Sequence, residues 1–189
     1  MHTLRSRSKE VSVPSARGPA TRLKRSESLA GRTLVAVARQ RKGLDATRCQ
    51  LVFEHLDTAL ALQLTLHRAL ADYRLSDLQF GVLVALFALH PEPAAPADLA
   101  NYTAVSRAAI TDALVRLESL RLISRARDRD DRRVYHVHLT PVGQTTVDRA
   151  LMDYLRAAGE AARHIEPVTQ QDLLSAYQLL QQGASEASA

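Results

Sequence analysis

The chain offers almost nothing on which covalent or catalytic chemistry could be built. One cysteine, Cys49, in 189 residues excludes an internal disulfide and fits a reducing, cytoplasmic setting. No apolar run approaches the ~20 residues of a helical membrane span, so no membrane association is expected. There is no glycine-rich phosphate loop, no G-x-S-x-G and no H-E-x-x-H. The chain is therefore expected not to be an enzyme and to need no cofactor. His136 and His138 share a strand face, but no further ligand lies at metal spacing nearby, so no metal site is expected. Asp128, Asp130 and Asp131 lack the glycine of a calcium loop and are interleaved with competing arginines. Lysine is absent after Lys42.

The positive charge that is present is unevenly spread. The net charge is +5, yet Met1 to Arg48 holds 12 Lys+Arg against 3 Asp+Glu, and the remainder holds 13 against 17. Within that acidic remainder, Ala104 to Arg133 carries eight arginines against five acids. A local basic patch on an acidic body suits capture of nucleic-acid phosphates, which overall pI does not reveal.

The stretch Ala104 to Thr140 has the most legible order. Ile110, Leu114, Leu117 and Leu120 recur at spacings of three and four, one apolar helical stripe, with Ser106 as the natural N-cap. Arg107 and Thr111 flank the stripe; Ala108, Asp112, Val115 and Arg116 lie opposite it, a small polar surface suited to close approach to a groove. Leu122 and Ile123 begin a strand, and Tyr135, Val137 and Leu139 alternate with His136 and His138 in a return strand. Arg125, Arg127, Arg129, Arg132 and Arg133 lie between. An arginine run is ordinarily a solvated turn, but directly after such a helix nucleic-acid contact is the stronger reading. The order is that of a helix-turn-helix with a β-wing.

The flanks read as helices. Residues 1–47 form a basic extension, with 1–28 expected to be disordered and Leu29 to Lys42 able to form a basic amphipathic helix. Its composition leaves open a transit-like segment, a nonspecific DNA-binding arm or an over-long start. Arg48 to Arg74 predicts a long helix apolar on more than one side. Ser76 to Leu89 predicts a second, with Ser76 and Gln79 in capping-box spacing. Pro91, Pro93 and Pro96 break the chain before a short helix from Ala97 to Tyr102. Pro141 starts a helix to about His164, and Gln170 to Gln182 predicts the last. Residues 184–189 are expected to be a disordered tail. The fold class is mainly α with a small β-wing.

LSDLQFGVL (Leu75 to Leu83), ADLANYTAVSRAAIT (Ala97 to Thr111), LVRLESLRLISR (Leu114 to Arg125), D-x-x-D-R-R (Asp128 to Arg133) and LTPVGQ (Leu139 to Gln144) follow one another in this order. Together they resemble the MarR family of winged-helix regulators, over roughly Cys49 to Gly183. The resemblance implies a domain from 48 to 183. Its dimerisation helices would span 48–74 and 141–183, with a winged-helix DNA-binding lobe at 76–140. Apolar stripes alone do not distinguish such an interface from a monomeric helical core. It implies a homodimeric, sequence-specific transcriptional regulator, a repressor bound to a pseudo-palindromic operator in double-stranded DNA and released by a small molecule or an oxidant. The competing reading is a winged helix used only as a protein-interaction module.

Ser106 and Arg116 are the phosphate candidates; Arg107, Ala108, Thr111 and Asp112 are the base-edge candidates. Arg129, Asp131, Arg132 and Arg133 belong to the wing, where the resemblance implies a minor-groove role for Arg133 oriented by Asp131. Cys49, beside Arg48 at a helix start, is the candidate redox group for an organic hydroperoxide. For a phenolic or other lipophilic anionic effector, the candidates are His67 and Arg68. Two residues depart from the family pattern: Arg121 stands where glycine is common, and Asp112 where arginine is common on the DNA side. A carboxylate there accepts from a cytosine amino group but repels phosphate. Arg133→Ala is expected to weaken duplex binding substantially in a gel shift. An unchanged affinity would remove the wing from this reading.

Overall fold

The computed structural model describes residues 27–127 and 135–188. Arg129, Asp131, Arg132 and Arg133, and the expectation for residues 1–26, lie outside the described residues. The chain divides into two compact units, Met1–Asp57 and Thr58–Ala189. Among the described residues no helix is long and apolar enough to cross a membrane.

In the first unit, Ser28 caps helix α1 (Leu29–Gln40) by accepting from the Gly31 N–H at 3.0 Å. Val35 and Ala38 are buried while Arg32 and Arg39 are exposed, the basic amphipathic helix that the sequence allowed. Helix α2 (Ala46–Ala69) follows, two residues earlier than expected, because Asp45 accepts from the N–H groups of Thr47 and Arg48, each at 3.0 Å. It also ends early. Leu70 and Leu75 are both buried, and five residues apart on one helix they would stand ~140° apart. A 3₁₀ turn at Ala71–Tyr73, closed by a left-handed Arg74 (φ 55°), brings both inward.

In the second unit, helix α3 (Asp77–Leu89) opens with the expected capping box: Ser76 accepts from Gln79 and Gln79 from Ser76. Its Phe80, Val82, Leu83 and Leu86 are buried. Helix α4 (Pro96–Thr103) and helix α5 (Arg107–Ser119) pack on it, followed by strands β1 (Ile123–Arg127) and β2 (Tyr135–Leu139). The strands pair antiparallel, Ile123 opposite Leu139 and Arg127 opposite Tyr135. Ala94 adds a third edge that the sequence did not reveal, exchanging both backbone hydrogen bonds with Val137 at 3.1 and 2.9 Å. One residue between prolines has no periodicity to read.

Helix α6 (Pro141–Ala161) and helix α7 (Pro167–Glu186) complete the unit. Tyr73 donates to Asp153 of α6 at 2.6 Å; that bond, and to a lesser degree desolvation, holds its phenol above the ordinary titration range. Helix α7 runs three residues into the segment expected to be a tail. Gly183 has no left-handed backbone to stop it. None of its side chains is fully buried, and Leu174 and Leu179 are exposed, as are Met152 and Leu155 of α6.

The end of α5, both strands and the start of α6 meet at the base of the hairpin. Thr140 caps α6 by accepting from the Gly143 N–H at 2.9 Å, and its hydroxyl donates to the Arg121 carbonyl at 2.7 Å. Its own N–H reaches the Leu122 carbonyl at 3.1 Å. A Cβ at Gly143 would fall on that same carbonyl oxygen. Arg121 is left-handed (φ 60°), as the glycine of the family pattern would be. Gly143→Ala is therefore expected to destabilise by about 3 kcal/mol, while Arg121→Gly stabilises by about 1 kcal/mol. Urea unfolding of both variants checks the pair, and equal effects of one sign would contradict this reading of the junction.

Candidate functional site

Helix α5 is held by one face and offers the other. Ile110, Ala113, Leu114 and Leu117 are buried, whereas Ser106, Arg107, Ala108, Thr111, Asp112, Val115 and Arg116 are all exposed. The 3.6-residue repeat produces this division: apolar residues at i, i+3, i+4 and i+7 face the core, leaving a contiguous outer face. The sequence-derived candidates on this helix thus share one surface. Val115, 56% exposed, places an apolar side chain within it.

The chemistry of individual positions is narrower than their residue types suggest. Ser106 accepts from the Ala109 N–H at 3.2 Å, which leaves its hydroxyl hydrogen available to donate outward. Thr111 donates to the Arg107 carbonyl at 3.0 Å, so it presents lone pairs and a methyl group rather than a donor. No acid lies in the first turn of α5, so the positive end of its backbone dipole is unopposed there.

The wing divides its arginines. Ile123, Arg125 and Arg127 stand opposite Leu139, Val137 and Tyr135 on one face of the hairpin. Because Val137 is fully buried, Arg125 is turned inward, its side chain only 24% exposed, with Nε 3.2 Å from a Glu118 carboxylate oxygen of α5. The pair is close but misaligned, and Nε and one terminal nitrogen find no hydrogen-bond partner among the described residues. Arg127, one pleat further out, lies 5.5 Å from the Tyr135 ring centre. Sequence alone ranked these two arginines alike; the register separates them.

Beside this surface, α3, α4 and α6 line an open cavity of about 850 Å³. Phe80, Tyr102 and Tyr154 line it, with Thr103 and the single carboxylate of Asp77. A smaller cavity of about 370 Å³ shares Asp77 and Tyr154. His67 and Arg68 line neither. His67 approaches only indirectly, its Nδ1 3.1 Å from Asp77 Oδ1, and Arg68 is exposed. Among the described residues the cavity has no cationic wall, contrary to what an anionic effector would require. Cys49 is partly exposed in the first turn of α2. The donors and the positive charge expected to favour a thiolate there are engaged by Asp45, which also pairs with Arg48 at 3.2 Å. No cluster of metal-binding side chains occurs among the described residues.

This arrangement of α3 to β2 meets its relatives by sequence as well as by shape, for residues 75–134 match the profile of the MarR family. By sequence and by fold this lobe is similar to the MarR family. A comparison with curated proteins finds no match. Solved structures of the same fold include a MarR-family transcriptional regulator from Streptomyces coelicolor in complex with DNA, 23% identical, covering 76% of this chain and 91% of that one, TM-score 0.64. Staphylococcus aureus MepR in a DNA complex is 16% identical, covering 70% and 96%, TM-score 0.60. Bordetella bronchiseptica BpsR, whose DNA binding is regulated by 6-hydroxynicotinic acid, is 20% identical, covering 70% and 98%, TM-score 0.59. At such identities the likeness is one of fold. In the MarR-type lobe of this chain, Glu118→Ala is expected to cost about 1 kcal/mol, well below a fully buried pair because Arg125 keeps some solvent. Arg125→Met, which removes the charge and keeps the stem, should be nearly neutral in the same thermal melt; the opposite ranking would contradict the inward placement of Arg125.

Proposed function

We propose that this protein is a sequence-specific DNA-binding transcription regulator that acts as a homodimer, represses from a pseudo-palindromic site and is released by a small molecule. The observation that carries the reading is the outer face of α5: seven exposed residues, small or polar apart from Val115, on a helix locked to the core by its opposite face. Such a helix enters a major groove without losing its own packing. Ser106 and the first N–H groups of α5 would meet phosphate, together with Arg116. Arg107, Ala108, Thr111 and Asp112 would lie at base edges, with Thr111 and Val115 offering methyl groups to thymine and Asp112 accepting from cytosine. Arg129, Arg132 and Arg133, with Asp131 to orient the last, would reach the flanking minor groove.

A second copy would cover the exposed apolar side chains of α6 and α7. Met152, Leu155, Leu174 and Leu179 are from 58% to 70% exposed in the single chain, which favours an apolar contact over open solvent. Two-fold symmetry then spaces the recognition helices about one DNA turn apart, ~10 bp. Release by a ligand is favoured over release by an oxidant. The cavity is large enough for a drug-sized molecule, whereas Asp45 already occupies the setting that would activate Cys49. With one cysteine and no spanning helix among the described residues, the cytoplasm is the compartment proposed.

Fluorescence anisotropy of the full chain with duplex DNA tests this directly. Binding should weaken steeply with salt, because neutralised phosphates release counterions. Arg116→Ala should lower affinity for all duplexes and reduce the log–log salt slope by about 2, one phosphate contact from each protomer. Arg107→Ala should cost about tenfold on a preferred sequence and less on others. Binding that is weak and indifferent to salt would favour the protein-interaction module instead.

A further inference from the structure

The cavity between α3, α4 and α6 has a charge character opposite to that expected of it. Asp77 is the one charged side chain lining it among the described residues, and no Lys, Arg or His accompanies it. Its Oδ1 faces His67, while Oδ2 has no partner among the described residues. The N–H groups at the start of α3 would otherwise offer an anion donors. Those donors are already engaged, since Ser76 takes the Gln79 N–H and Gln79 takes the Ser76 N–H. A carboxylate or phenolate entering here would meet a like charge, and His67, the one basic side chain beside it, is held against Asp77 without lining the cavity.

The remaining polar character is aromatic. Phe80 and Tyr154 stack with ring centres 4.8 Å apart and planes tilted by 36°, and Tyr102 of α4, 61% exposed, belongs to the same wall. Ring faces carry negative potential and attract cations, most strongly where water is partly excluded. One carboxylate, three aromatic rings, Thr103 with its hydroxyl already donated to the Leu99 carbonyl, and an aliphatic remainder form a complementary site for an organic cation. Because Asp77 and Tyr154 also line the smaller cavity, the charge sits where the two spaces meet.

We propose that this cavity binds a lipophilic cation: an apolar, preferably aromatic body carrying a quaternary or protonated centre, with Asp77 as counter-ion and Phe80, Tyr102 and Tyr154 as its π-walls. The consequence for DNA rests on the regulator reading above; the binding itself does not.

Tetraphenylphosphonium and tetraphenylborate provide the test, having nearly the same shape and opposite charge. Calorimetric titration of the full chain should show the phosphonium binding at least about tenfold more tightly than the borate. Asp77→Asn should erase most of that preference while the variant still melts cooperatively, and Tyr102→Leu should weaken the cation without restoring the anion. A borate that binds as tightly as the phosphonium, or a preference untouched in Asp77→Asn, overturns the assignment. So does binding of neither ion. Duplex affinity measured with and without the phosphonium is a separate readout. Selective binding that leaves DNA affinity unchanged would support the assigned ligand class and sink its role as the regulatory input.

Discussion

There is no space between the first turn of α6 and the Leu122 carbonyl, and the fold depends on keeping it so. Gly143 is the only residue type that fits there, since any Cβ would overlap that oxygen. Thr140 ties the same point from the other side, capping α6 while donating to Arg121. The end of the recognition-type helix, the entry to β1, the exit from β2 and the start of α6 are therefore one cross-braced unit. Their relative directions are fixed by these backbone contacts together with the buried Leu117, Leu122, Ile123, Val137 and Val147.

That brace explains how α5 can present a face without being loosely held. The helix is bracketed by two left-handed residues that are not glycine, Ala104 (φ 53°) and Arg121 (φ 60°). Each costs backbone energy, and each turns the chain sharply enough to bring the four buried residues of α5 onto α3 and α4. The outer face is then a by-product of good packing on the inner one. Glu118 and Arg125 extend the link from α5 to the wing. A surface intended for a rigid, regularly spaced partner gains from such fixity, because freedom lost before binding is not lost again on binding.

Much of this was legible in the residues. The 3.6-period stripe of Ile110, Leu114 and Leu117, the caps at Ser76, Ser106 and Thr140, and the alternation around Val137 each act locally, so each can be read from neighbours in sequence. Long-range features were not. The bridge at Ala94 depends on a partner 43 positions away, by the difference between the two residue numbers. The inward turn of Arg125 depends on strand register, and the early end of α2 on two leucines competing for one core. The cavity was missed for the same reason: Asp77, Tyr102 and Tyr154 belong to three helices, and nothing in their spacing announces a common wall. His67 and Arg68 drew attention by their polarity on α2, but polarity does not give proximity.

The body of the chain is acidic, so on the proposed reading attraction to DNA would be local, and selectivity would come from geometry more than from charge. Selection of bound duplexes from a random pool by the full-length protein measures that geometry most directly. A fixed, fully exposed α5 face in a two-fold pair requires enrichment of one pseudo-palindrome with half-site centres about 10 bp apart. A recovered pool as random as the starting one, at a salt concentration where duplexes are bound, would contradict the central claim.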